Sequence, residues 1–409
     1  MMSKASDPAL GKPSMASAHI ALQPLCDREY RHRADALLYR HSVGAEHAEI
    51  VSPTHATASA VILAVYEIGL AQLVGERDLY VKAPSAWLKD PDLLPPPDPK
   101  LVLEVNHSDL TDDLPLPWLI KSGYRLSLFC EDWPNSDSWP SFETIKIAAD
   151  NVKAGETRLT LLRALNPEIG FIAHRVADRA MFELCHRAGF DRFQGYFYAQ
   201  PMTLKSGSRQ GGGNRQVLLR MMQELHQEQP DMQRLSSWLT QLPEATYLLL
   251  KRVNSASGSS VRKIESLSEA LVRLGLTDLK TLIASLLITD MGHRARLLLP
   301  DVLTRAAFCR RLADRNPELD ADTAFSVGLF SVLPLILGLS LHTMLIDLKV
   351  SRDIELALRS RGGGYGKLLR LVEAYDAAGL SQQNRTLIAS LNQHYLKARA
   401  WTQELLASI

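Results

Sequence analysis

Short hydrophobic runs alternate with helical patterns through the first half of the chain. The runs predict buried strands at Leu79–Val81, Leu101–Val105, Tyr124–Phe129, Thr144–Ile147, Phe171–Val176 and Phe193–Phe197. Apolar residues at helical spacing predict helices at Thr54–Val74, Leu114–Ser122, Ala154–Ala164 and Arg179–Ala188. Strands that alternate with helices indicate a parallel α/β sheet, and this many units favours a closed barrel.

The pattern changes in the second half. Residues 205–214 are rich in Gly and Ser, which is typical of a flexible linker. From Arg215 onward, leucine-rich amphipathic patterns predict helix nearly throughout. We therefore expect a disordered N-terminus at 1–18, a barrel at 19–204, a linker at 205–214 and a helical domain at 215–409.

Composition is that of an ordinary globular protein, with 409 residues, 46% hydrophobic and 22% charged. The formal net charge of +1 favours neither nucleic acid nor an anionic membrane as a partner. Residues 324–346 carry no Asp, Glu, Lys or Arg, but Pro334 and Gly338 interrupt them, so buried helices are predicted rather than a membrane span. The four scattered cysteines have no zinc-like spacing, which indicates reduced thiols in the cytoplasm.

One candidate motif runs from Ala36 to Arg40 and reads Ala-Leu-Leu-Tyr-Arg. It resembles the E-x-L-x-R motif of EAL domains, a family that hydrolyses the bacterial messenger cyclic di-GMP. The resemblance covers about residues 19–202 and implies a (β/α) TIM-like barrel with a metal-dependent site at its mouth. Ala36 stands where the family has a metal-binding glutamate, and its methyl group cannot bind Mg²⁺, which requires oxygen ligands.

Other metal-ligand positions of the family are also altered. Lys82 stands in place of an asparagine ligand, and Phe129 and Cys130 occupy the places of an aspartate pair. A slip of one or two residues would put Glu131 and Asp132 there instead.

The segment that reads A-E-x-V-E in the family ends here at Ala177 and has lost both glutamates. The family positions that survive, as a possible remnant of a ligand site, are Leu38, Arg40, Glu104, Lys146 and Gln194. These survivors either bind a ligand or support the barrel. Lys82 is expected to pair with Glu104 and close the pocket, which makes cyclic di-GMP binding doubtful.

The helical half carries a second resemblance. Residues 242–255 and 264–275 resemble two conserved segments of the HDOD domain, an all-helical relative of the HD phosphohydrolases that lacks their metal-binding His-Asp pair. Ser331 and Val332 stand where the hydrolases have that pair. The predicted fold class is therefore α/β plus all-α, an EAL-type barrel followed by a helical HDOD domain.

These resemblances imply a bacterial, cytoplasmic regulator of the cyclic di-GMP network that is not an enzyme and needs no metal or cofactor. It would act through contacts with other signalling proteins, and the barrel could form a homodimer. Two alternatives remain open, a weak or conditional cyclic di-GMP phosphodiesterase and a sensor that binds the dinucleotide without hydrolysis.

Overall fold

The computed structural model contains a closed eight-stranded barrel followed by a helical half. The structure describes residues 18–41, 61–90, 93–133, 141–198, 212–227, 229–239, 267–289, 297–334, 340–348, 350–380 and 385–408, with single positions between 242 and 253. The predicted linker at 205–214 lies mostly outside these residues, as do residues 1–17 of the predicted disordered N-terminus.

The barrel strands follow one another around the barrel in sequence order. They are β1 (Ala18–Asp27), β2 (His32–His41), β3 (Asp78–Lys82), β4 (Leu101–Asn106), β5 (Arg125–Cys130), β6 (Thr144–Ala148), β7 (Gly170–Val176) and β8 (Arg192–Gly195). Strand β1 is antiparallel to both β2 and β8, whereas all other pairs are parallel. The predicted α/β barrel is confirmed, with an antiparallel first strand that the hydrophobic pattern did not predict.

Short helices connect the strands of the barrel. They are α1 (Leu70–Val74), α2 (Ser85–Lys89), α3 (Leu116–Lys121), α4 (Arg158–Leu165) and α5 (Arg179–Ala188). A π-helical segment, Ile62–Ile68, precedes α1, and the two are separated by Gly69 at φ 94°. The described part of the predicted helix Thr54–Val74 therefore consists of two helical segments. Gly69 interrupts it, because a residue with this positive φ cannot continue a right-handed helix.

The second half is helical, as predicted. Its helices are α6 (Gly212–Glu224), α7 (Met232–Leu239), α8 (Leu267–Leu274), α9 (Leu276–Thr289), α10 (Leu299–Ala313), α11 (Ala321–Phe330), α12 (Leu341–Leu348), α13 (Arg352–Ser360), α14 (Gly363–Asp376) and α15 (Arg385–Ser408). Within the part of the chain that the structure describes, none of the helices has the length and apolar character that a membrane crossing requires.

Strand β2 has one face inside the barrel and one against the helical half. Ala34, Ala36 and Leu38 pack with Tyr80 in the barrel interior. Because side chains alternate along a strand, Asp35 points the other way, toward the helices.

Asp35 is a fully buried carboxylate that joins the two halves. It accepts a hydrogen bond from Arg399 of α15 at 2.8 Å, and His32 and Arg77 each lie 3.0 Å from it. Arg399 is itself 1% exposed and also contacts Asp301 of α10 at 3.1 Å. Burial alone would raise the pKa of Asp35, but the contacts with His32, Arg399 and Arg77 together hold it well below its usual range.

The free edge of β1 is also completed by the helical half. Strand β8 pairs only with Leu25–Asp27, which leaves the first part of β1 without a neighbour on that side. The backbone N–H of Ile20 donates to Asn392 Oδ1 at 3.2 Å, and that of Leu22 donates to Tyr395 Oη at 3.1 Å. Buried backbone groups need such partners, so side chains of α15 replace the missing strand.

Removing Arg399 should destabilise the whole chain. Arg399→Met leaves the buried Asp35 carboxylate with incomplete partners, so we expect the free energy of unfolding to fall by about 3–5 kcal/mol in urea. Lys397→Met is the matched control, because Lys397 is exposed on the same helix. An equally small effect in both variants would contradict a stabilising role for the Arg399–Asp35 pair.

Asp35 should also make the protein sensitive to acid. Its pKa is lowered by folding from about 3.9 in the unfolded chain, so it stabilises the fold above that pH. Stability should therefore fall as pH decreases below about 4, and the slope should be smaller in Asp35→Asn. An unchanged slope in urea titrations of that variant would contradict this assignment.

Candidate functional site

The mouth of the barrel lies where the parallel strands end at their carboxyl ends. Alternation along the strands directs Lys82 of β3, Glu104 of β4, Phe129 of β5, Lys146 of β6 and Gln194 of β8 to the same interior region. Most of the positions that the sequence singled out are therefore brought together by the fold.

A buried ion pair lies at the centre of this region. Lys146 Nζ donates to Glu104 Oε1, and the two side chains are 2% and 3% exposed. Burial lowers the pKa of Lys146, and the Glu104 carboxylate opposes that effect. The only carboxylate among the predicted remnant positions is thus already engaged by a cation from β6, two strands further around the barrel.

The prediction that Lys82 pairs with Glu104 is wrong. The two residues are neighbours in strand register, but Lys82 Nζ lies over the Phe129 ring, 4.1 Å from its centroid. An ammonium over an aromatic face contributes about 0.5–2 kcal/mol. Lys82 therefore contacts the Phe129 ring, and Lys146 forms the ion pair with the Glu104 carboxylate.

Gln194 and Gly195 close the ring of strands beside this pair. Gln194 is 5% exposed, and its Nε2 donates to Gln23 Oε1 of β1 at 2.8 Å. A Cβ at Gly195 would lie 2.0 Å from the carbonyl oxygen of Val176, so only glycine fits there. Leu38 packs against the buried residues of the barrel interior that include Ala36 and Tyr80. Arg40 lies in β2, but its side chain is outside the described part of the structure.

The altered positions offer no metal ligands in this arrangement. Ala36 and Phe129 are buried and apolar, and Ala177 is exposed beyond the end of β7. Burial raises the pKa of the Cys130 thiol to about 12, so it is neutral at physiological pH.

The carboxylates that could have restored the lost charge lie at the rim. Glu131 and Asp150 both contact the guanidinium of Arg175, at 2.9 and 3.2 Å, and all three side chains are at least half exposed. Asp132 Oδ1 accepts from the backbone N–H of Trp133 at 2.7 Å. Exposed ion pairs of this kind contribute little stability, about 0–1 kcal/mol.

His174 is a site residue that the sequence did not single out, although it stands at the first glutamate of the A-E-x-V-E segment. Its ring lies 4.6 Å from that of Phe129, and its Nε2 is 3.4 Å from the carbonyl oxygen of Cys130. Burial lowers the pKa of His174 to about 3, and the nearby positive charge of Lys146 adds a smaller effect in the same direction. The imidazole is therefore neutral at physiological pH.

The donor set at the mouth does not fit a two-metal centre. Such a centre needs several converging carboxylates, and Glu104 is held by Lys146. Among the described residues, no group of three or more His, Cys, Asp or Glu side chains could hold a metal ion.

The sequence is similar to curated proteins along nearly its whole length. It is 27% identical to cyclic di-GMP phosphodiesterase CdgJ of Vibrio cholerae, over 96% of this chain and 94% of that protein. It is 25% identical to the uncharacterized protein YuxH of Bacillus subtilis, over 88% and 90% of the two chains. The prediction that this chain is not an enzyme is wrong, because the first of these matches spans almost all of a protein named as a phosphodiesterase.

Solved structures also match the barrel half. The FimX EAL domain from Pseudomonas aeruginosa bound to c-di-GMP is 20% identical, with 44% of this chain and 89% of that chain covered and a TM-score of 0.32. An EAL domain protein from Listeria monocytogenes is 17% identical, with 44% and 87% covered and a TM-score of 0.34.

The sequence model of the HDOD domain family matches residues 214–345. This range includes most of α6, all of α7 to α11 and most of α12, and the predicted HDOD domain in the helical half is confirmed. The chain is thus a closed eight-stranded α/β barrel followed by an HDOD domain.

Proposed function

We propose that this chain acts on cyclic di-GMP as a phosphodiesterase of low or conditional activity, within the signalling network of that dinucleotide. The observation that carries the proposal is the similarity to the Vibrio cholerae phosphodiesterase, which extends over both halves of the chain. The mouth adds a carboxylate, Glu104, between two ammonium groups that suit an anionic phosphodiester.

Conditional activity follows from the state of Glu104. The Glu104 carboxylate oxygen is occupied by its buried contact with Lys146, so it is not free to approach a water molecule. A phosphodiester that enters the mouth competes with Glu104 for Lys146, since both carry negative charge. Ligand binding therefore supplies the condition that releases the carboxylate.

The chain's own residues support a simple hydrolytic step. The released Glu104 accepts a proton from a water molecule that attacks phosphorus, while Lys82 and Lys146 stabilise the charge on the phosphoryl oxygens. The bond from phosphorus to one ribose O3′ breaks, this oxygen takes the proton that Glu104 removed from the water molecule, and linear pGpG is formed. A positioned general base contributes roughly 10²–10⁴-fold, far less than a complete metal-dependent site, so a slow reaction is expected.

Other expectations from the sequence stay predictions. They are the cytoplasmic location, contacts with other signalling proteins, a homodimer through the barrel, and the domain limits at 19–204 and 215–409. None of them is needed for the proposed reaction.

Removing the Glu104 carboxylate should slow turnover strongly. We expect purified chain to release pGpG slowly from cyclic di-GMP, and Glu104→Gln to lower the rate by about 10²–10⁴-fold, as measured by chromatography. Glu183→Gln is the control, because Glu183 lies on the outer helix α5 and pairs only weakly with Arg179 at 3.6 Å. Equal rates in the Glu104→Gln variant and the unmodified chain, or no pGpG from either, would contradict the proposal.

Removing the Lys82 charge should weaken binding. A hydrogen bond to a charged group contributes about 1.5–3 kcal/mol, so Lys82→Met should raise the Kd for cyclic di-GMP by about 10- to 100-fold in calorimetry. Lys89→Met is the matched control, since Lys89 is exposed and its charge is already paired with Asp113. An unchanged Kd in the Lys82 variant would place the dinucleotide elsewhere.

A further inference from the structure

A cavity that is partly open to solvent lies between the first hairpin of the barrel and the helical half. Its volume is about 210 Å³, and its walls include Ile20 and Gln23 of β1, Leu38 of β2, Arg305 of α10 and Asp376 of α14. Both halves of the chain therefore contribute residues to the lining of one cavity.

The walls of this cavity are fixed by the contacts that join the halves. Tyr375 Oη lies 2.9 Å from the carbonyl oxygen of Ile20 and 2.7 Å from Asn392 Oδ1, and these two acceptors share its single hydroxyl hydrogen. The aromatic rings of His19 and Phe308 lie 5.2 and 5.3 Å from that of Tyr375. A cavity with walls held in this way does not need to rearrange before it takes a ligand, which lowers the cost of binding.

Part of the polar lining is an ion pair between helices α10 and α14. Arg305 Nη2 lies 2.6 Å from Asp376 Oδ2, and the two side chains are 24% and 32% exposed. They present guanidinium N–H donors beside carboxylate acceptors. Guanine carries the complementary groups on one edge, with N1–H and N2–H as donors next to the O6 acceptor.

We infer that this cavity binds a single guanine base, as part of a nucleoside or nucleotide. Asp376 accepts the two N–H groups of the base, Arg305 donates to O6, and the aromatic wall stacks on the ring. Adenine offers only one exocyclic amine at the same edge and is a poorer match. The cavity is smaller than the roughly 300 Å³ typical of pockets for drug-sized ligands, so a whole cyclic dinucleotide does not fit.

The cavity also adjoins the barrel mouth. Gln23 lines it and accepts a hydrogen bond from Gln194 at 2.8 Å. Only Gln23 therefore separates a base bound in this cavity from Gln194 at the barrel mouth. A base in that position could influence the proposed reaction. The inference does not depend on that reaction, because it rests on the cavity lining alone.

Calorimetry with GMP on the full chain tests this inference. We expect GMP to bind, AMP to bind at least tenfold more weakly, and Arg305→Met to weaken GMP binding tenfold or more. Val332→Trp should have the same effect by filling the cavity, since Val332 lines it, while the Arg305–Asp376 pair stays intact. Arg310→Met is the control, because Arg310 lies on the same helix but faces Asp322 at 3.6 Å.

The barrel mouth is distinguished from the cavity by Glu104→Gln, which should leave GMP binding unchanged. Loss of GMP binding in Glu104→Gln, or full binding in both Arg305→Met and Val332→Trp, would overturn the inference. Equal affinities for GMP and AMP would overturn the assignment of guanine. None of these results bears on whether the chain hydrolyses cyclic di-GMP.

Discussion

The contact between Asp35 and Arg399 is the interaction on which the arrangement of the two halves depends. Asp35 is fully buried, and a carboxylate in that position is stable only with cationic partners. The cationic partners are Arg77 of the barrel half and Arg399 of the last helix, and His32, whose pKa is lowered by burial, adds a hydrogen bond. The inner face of the same strand forms part of the barrel interior, so the helical half helps to position the barrel mouth.

The mouth obeys a second constraint, which is that buried charges must be balanced. Lys146 neutralises Glu104, and Lys82 lies against the Phe129 ring instead of a carboxylate. The rim carboxylates of Glu131 and Asp150 are neutralised in turn by Arg175. An anionic substrate would disturb this balance, which is why we connect catalysis to substrate binding rather than to a preformed site.

The secondary structure could be predicted from the sequence wherever a local pattern of residues determines it. Strands β3 to β7 contain short apolar runs, and the HDOD resemblance rests on contiguous segments, so both could be predicted. Strand β1 could not, because Gln23, Pro24 and Asp27 interrupt its apolar pattern, and its edge is completed by α15, which lies more than 350 residues away.

Side-chain partners were harder to predict than strands. Strand order placed Lys82 next to Glu104, yet the direction of each side chain across the barrel interior decided the pairing in favour of Lys146. The buried pair of Asp35 with Arg399 gives no sequence signal, since 364 residues separate them. The loss of family ligands also led to a wrong prediction about enzymatic activity, because missing residues do not reveal which others take part.

A crystal structure of the full chain with cyclic di-GMP tests the central claim most directly, since the state of Glu104 would be visible. The account predicts the dinucleotide at the barrel mouth, with a phosphate on Lys82 and Lys146 and with Glu104 separated from Lys146. A dinucleotide bound elsewhere, with the Lys146–Glu104 pair intact, would contradict it.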